Sequence, residues 1–177
     1  TFSGSNSVQN IISRVTGGNP SNIDGLIQST IPNADFYFLN PYGIMFGPNA
    51  RLDIQGSFHA STADYLRLGE NGRFDVRNPN DSLLTVAPVE SFGFLSNTPT
   101  NITLQDSTLS VDDGKTLSLI GGDLTMNGEL LSISGSITTI NREFTTQLVA
   151  PNGRINLASI ASKGEVIPTD LGLDVNA

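Results

Sequence analysis

Seventeen carboxylates and a single imidazole are the groups with which this chain of 177 residues could do acid–base or metal chemistry. A polysaccharide lyase or hydrolase needs such carboxylates clustered, to move protons or to hold calcium, often beside an Arg or Lys base. The candidates are Asp53, Asp75, the pair Asp112-Asp113, and Glu70. Asp53 and Asp75 each stand two residues from an arginine, Arg51 and Arg73, that can pair with them. Asp112-Asp113-Gly114-Lys115 has the composition of a turn. His59 sits in Ser57-Phe58-His59-Ala60-Ser61, where strand alternation places it opposite Phe58 and Ala60. No Ser/His/Asp constellation or His-rich metal set assembles around it, so it reads as a solvated or hydrogen-bonded strand histidine. There is no cysteine, which excludes disulfides, zinc–thiolate sites and cysteine nucleophiles. The expectation is a protein that is not an enzyme and holds no metal or cofactor.

The charge balance narrows the partners. Net charge is −8, from 17 acidic and 9 basic residues. Such a surface repels nucleic-acid phosphates and anionic lipid, so neither is an expected partner. No small-molecule ligand is expected, and the chain is expected to be a monomer. No apolar run approaches the roughly 20 residues of a spanning helix. The chain starts at Thr1 without Met and in mid-pattern, which reads as a domain with an upstream segment missing.

The elements that position these groups are set by an internal repeat. Gly43–Ile54 aligns with Tyr65–Val76 at an offset of 22 residues, matching Ile44 with Leu66, Phe46 with Leu68, Leu52 with Phe74, and Ile54 with Val76. Asn101–Val111 aligns with Asp123–Ile133 at the same offset, matching Ile102 with Leu124, Leu104 with Met126, Leu109 with Leu131, and Val111 with Ile133. Apolar residues come as i, i+2 pairs beside turns, as in Leu117/Leu119 and Ile155/Leu157. That is the period of a strand with one buried face. Short strands recurring every 22 residues predict an all-β parallel β-helix with about three strands per coil. A βαβ unit needs roughly 30 residues and does not fit. Stacking puts Phe36 over Phe58, and Arg51/Asp53 beneath Arg73/Asp75 as outer Arg–Asp contacts.

The ends depart from this pattern. Ser7–Val15 and Ile23–Gln28 read as two strands of a poorly matching start, with Gly17-Gly18-Asn19-Pro20 turning between them. Ile140–Val149 breaks the spacing and reads as a hairpin or loop outside the prism. The tail after Pro168 is expected to leave the core. Asn40-Pro41-Tyr42-Gly43 carries the preferences of a type I turn and follows the apolar strand Asp35–Leu39.

Several motifs together resemble a known family. Ser13–Ser21, Ile23–Ile27, Phe38–Ala50 and Gly56–Ala63 look like the haemagglutination-activity domain of filamentous-haemagglutinin-like exoproteins, exported by two-partner secretion. Leu84–Pro88, Phe92–Leu95 and Leu117–Gly122 resemble the later part of the same domain. The resemblance covers nearly all of the chain, so residues 1–177 are expected to form one domain. It implies a right-handed β-helix, export through periplasm and outer membrane to the cell surface or medium, and a cognate outer-membrane transporter whose periplasmic polypeptide-transport (POTRA) domains bind the exoprotein. The family's Asn-Pro-Asn-Gly motif maps onto Asn40, Pro41, Tyr42 and Gly43, with Tyr42 in place of the usual Asn. These four are the candidate transporter-recognition residues. An adhesin binding carbohydrate or a cell surface through Tyr37, Tyr42, Tyr65 and His59 is the alternative, ahead of a polysaccharide-cleaving enzyme.

Overall fold

The computed structural model describes residues 1–128, 146–169 and 172–176, and these are nearly all strand and turn. Asn10–Arg14 (β1), Ser21–Ile23 (β2) and Leu26–Gln28 (β3) form a first rung of three short strands. Asp35–Leu39 (β4), Ile44–Phe46 (β5) and Arg51–Asp53 (β6) form a second. Phe58–Ser61 (β7) opens a third. The chain then leaves the stack for Tyr65–Leu68 (β8), Gly72–Asp75 (β9) and Val89–Phe94 (β10), and returns as Ile102–Gln105 (β11) and Thr108–Ser110 (β12). Thr116–Gly121 (β13), Leu124–Asn127 (β14) and Gln147–Val149 (β15) follow, then Arg154–Ser159 (β16). Gly164–Thr169 (β17) and Gly172–Asn176 (β18) end the described chain.

Each rung pairs with the next in parallel. One sheet runs β1-β4-β7-β13-β16, a second runs β2-β5-β11-β14, and β3-β6 and β12-β15 are parallel pairs. A fifth sheet, β18-β17-β10-β8-β9, is antiparallel.

The i, i+2 apolar pairs explain the stack. Rungs lie about 4.8 Å apart, so like side chains sit directly over one another. Phe36, Phe58, Leu117 and Ile155 form one column, and Ile44, Ile102 and Leu124 another. The Phe36 and Phe58 rings stack at 6.0 Å, and Phe46 meets Phe58 edge-on at 6.3 Å. Phe36, Phe46, Phe58, Leu117, Ile44 and Ile102, with Leu104, Leu109 and Leu119, make the interior core; Leu124 packs against it, and Ile155, at the end of its column, is exposed. The opposite face of the first sheet is buried too. Tyr37, Leu39 and Ile120 pack there against Leu66, Phe92, Phe94 and Val166 of the antiparallel sheet. Gly93 permits one close approach in that annex, since the Tyr65 ring lies where a Cβ would stand.

The 22-residue offset holds for Phe36 over Phe58 and for Ile102 and Leu104 under Leu124 and Met126. The first alignment does not hold. Ile44 lies between Ser21 and Ile102, whereas Leu66 is antiparallel to Phe74 and Phe92. The reason is that an i, i+2 pattern records one buried face and not its partner, so a hairpin satisfies it as well as a rung does. The expected Arg–Asp stacking fails with it. Arg73 instead pairs with Asp75 of its own strand at 2.7 Å, and Arg51 donates to the Pro48 and Ala50 carbonyls.

The start of the chain is more regular than its sequence. β1 and β3 pair in register with β4 and β6, and Asp24-Gly25 divides the expected Ile23–Gln28 strand in two. The tail after Pro168 does not leave the core, because β18 pairs with β17 to extend the antiparallel sheet and Leu173 packs against its core. The expectation for Ile140–Val149 is corrected at its end. Gln147–Val149 is a rung strand that sets Leu148 over Leu109, while residues 140–145 lie outside the described residues. The expected partners of Leu109 and Val111, Leu131 and Ile133, also lie outside them.

Candidate functional site

The turn Asn40–Gly43 joins β4 to β5 and is held by its first residue. Asn40 is fully buried. Its Nδ2 donates to the Asn19 carbonyl at 2.9 Å and to Ser21 Oγ at 2.8 Å, and its Oδ1 accepts from Tyr42 N at 2.9 Å. Gly43 N closes the turn on the Asn40 carbonyl at 3.2 Å. Gly43 has φ +115, a conformation L side chains rarely adopt, so glycine is required there by its backbone. Pro41 and Gly43 are buried, and Tyr42 is half-buried.

Residues far downstream cover this turn. The Pro41 carbonyl accepts from Arg77 Nη2 at 3.1 Å and from Thr100 Oγ1 at 3.1 Å. The Arg77 guanidinium stands 4.6 Å over the Tyr42 ring, and its Nε is paired with Asp64. Neither Arg77 nor Thr100 is distinguished in the sequence. They lie 36 and 59 positions from Pro41, and no local pattern reports such a contact.

A family model described as the TPS secretion domain matches residues 1–172. The chain belongs to the TPS secretion domain family. Searches of curated proteins and of solved structures found no match. Membership marks this TPS domain as part of an exoprotein of two-partner secretion, exported through the outer membrane, and as a secretion module rather than a member of a catalytic family. No helix among the described residues is long and apolar enough to cross a membrane.

The other residues singled out by type are dispersed through the TPS domain. Asp53 accepts from Gln28 Nε2 at 2.6 Å, and Asp75 is tied to Arg73, Asn78 N and Ser82. Asp112 and Asp113 lie in a turn closed by Lys115 N on the Asp112 carbonyl. Among the described residues, no three His, Cys, Asp or Glu come together as a metal site would require. Tyr65 donates to Glu165 on the antiparallel sheet, away from Tyr42. Tyr37 and His59 do meet, with rings stacked at 4.6 Å. Beside His59, Asp35, Thr116, Arg154 and Asn156 line an open groove of about 550 Å³.

His59 is opposite Phe58, as alternation requires, but it is buried and not solvated. Phe92 of β10 packs against its ring at 6.2 Å, Tyr37 stacks on it, and Nδ1 shares a hydrogen bond of 2.9 Å with Ser118 Oγ. Burial holds its pKa down at about 4, opposed in part by the Asp35 carboxylate. The sign follows from linkage: above pH 6.5 the imidazole is neutral in both states and favours neither. As pH falls from 6.5 to about 4 the unfolded chain takes up a proton that the folded chain refuses, so stability is lost across that window. The loss expected is about 3 kcal/mol. Urea unfolding of the wild type and of His59→Gln between pH 7 and pH 4 checks it. The stability of the wild type relative to His59→Gln falls as pH falls, and a constant difference would refute it.

Proposed function

We propose that this TPS domain is the address by which its exoprotein is recognised in the periplasm, through the POTRA domains of a cognate outer-membrane transporter. The turn Asn40-Pro41-Tyr42-Gly43 is the recognition element, and the domain nucleates a right-handed β-helix once outside the cell. The whole chain acts as one non-enzymatic, monomeric domain. The observation that carries this reading is the family match over residues 1–172. The stacked rungs support the folding role. Each rung bonds only to its neighbours, so folding propagates one rung at a time as the chain emerges. Burial of the turn supports recognition before the domain has closed.

The test removes residues 40–43 from the full-length exoprotein and measures surface export. Export falls by about tenfold or more, the equivalent of roughly 1.4 kcal/mol of recognition. Unchanged export would remove the role given to the turn. A second reading, an adhesin, is favoured by the groove beside His59, whose open floor is polar. The same experiment separates the two, since a chain that only adheres still reaches the surface without the turn.

A further inference from the structure

The turn Asn40–Gly43 is shaped by residues that precede it and covered by residues that follow it. Asn19 and Ser21, which orient Asn40, both lie upstream in the first rung and its entry. The covering groups come from the base of the antiparallel excursion. Asp64 lies just before β8, Arg77 just after β9, Leu95 just after β10, and Thr100 shortly before β11. They form one cluster: Asp64 pairs with Arg77 and accepts from Leu95 N at 2.7 Å, while Arg77 and Thr100 both donate to Pro41. A chain folded as far as its first two rungs therefore holds the turn's side-chain bonds already formed; the Asn40 amide still awaits the Ser61 carbonyl of β7, and two further groups are uncovered. These are the Pro41 carbonyl and the aromatic face of Tyr42.

Those two groups together have a definite chemical preference. A carbonyl oxygen beside a ring face suits a guanidinium, which donates in its own plane and stacks through its face. Arg77 does both at once. Its side chain is more than a third exposed, so it closes the turn from the solvent side and is not locked in the core. The chain's net charge of −8 also favours a basic partner surface.

We infer that the Pro41 carbonyl and the Tyr42 ring form a docking surface for an arginine of the transporter's periplasmic domains, and that Arg77 takes that arginine's place when the excursion folds. The inference rests on the reading of Asn40–Gly43 as the recognition turn, and adds the chemistry of the contact and the means of release. Folding of residues 64–100 then ejects the transporter, because a group tethered in the same chain competes at a high effective concentration. Recognition is confined to the interval in which the second rung has formed and the excursion has not.

The test titrates full chains against the purified periplasmic domains of the cognate transporter, with thermal unfolding as a check of folding. Arg77→Ala binds about tenfold more tightly than wild type, since loss of the internal cation frees the surface. Arg77→Gln, which keeps a donor for Asp64 but loses the charge, gains in the same direction and serves if Arg77→Ala does not fold. Adding Tyr42→Ala to either variant cancels the gain. If both Arg77 variants bind no better than wild type while Tyr42→Ala weakens every chain, the turn is recognised but Arg77 does not compete for it. If Tyr42→Ala changes nothing in any background, or if no chain binds, the docking surface itself is wrong.

Discussion

Asn40→Ala lowers the unfolding free energy of the domain by about 3 kcal/mol, because three hydrogen bonds of about 1 kcal/mol each lose their common partner. The Asn19 carbonyl and Ser21 Oγ lose their donor, and Tyr42 N loses its acceptor. Asn40 is fully buried, so water does not replace the side chain without opening the junction of the first two rungs. Asn40→Asp does not rescue the loss. It keeps the acceptor for Tyr42 N and can accept from the Ser21 hydroxyl, but it sets a carboxylate oxygen against the Asn19 carbonyl and places a charge where burial is costly. Urea unfolding of the three chains measures the effect, and a loss under about 1 kcal/mol for Asn40→Ala would show that the turn is held by its backbone alone. Export of the exoprotein falls with it, since the turn's form depends on this side chain.

The second large effect is expected inside the stack. Phe58→Ala costs about 3–5 kcal/mol, the usual range for truncating a fully buried phenylalanine. Phe58 has no exposure, and its ring touches Phe36 from the rung below and Phe46 from the neighbouring sheet. Leu117 sits next in its column, so the cavity opens between three rungs. Phe58→Leu recovers much of the loss, because most of the volume returns. Domains are stable by only about 5–15 kcal/mol, so Phe58→Ala brings this one close to unfolding at ordinary temperature. Chemical denaturation followed by far-ultraviolet circular dichroism gives the number. A cost near 1 kcal/mol would mean that the column is loosely packed and that the rungs are held chiefly by backbone bonds.

These two residues differ in how far the sequence reveals them. Phe58 is legible: it ends a 22-residue interval from Phe36, lies in an i, i+2 pattern, and stacks where that pattern says. Asn40 is legible as the first residue of an Asn-Pro-x-Gly turn, but its bonds to Asn19 and Ser21 are not. His59 shows the same division, for alternation assigns its face while only the packing of Phe92 from β10 and the stacked Tyr37 buries it. The excursion misleads for a related reason. Leu66 and Leu68 repeat the spacing of Ile44 and Phe46, yet they pair antiparallel in a second core.

The sequence by itself determined the all-β character, the inward columns at Phe36/Phe58 and Ile102/Leu124, the turn at Asn40–Gly43, and membership of the secretion family, which its ordered motifs already marked. These are local or periodic properties, carried by residue type at short spacing. Only the tertiary structure decided which strands are neighbours, that one sheet is buried on both faces, and that Arg77 and Thr100 close over Pro41. Period-two patterning states that a strand has a buried side. What covers that side, and which distant donor reaches a given carbonyl, depends on how the rungs and the excursion come together in space.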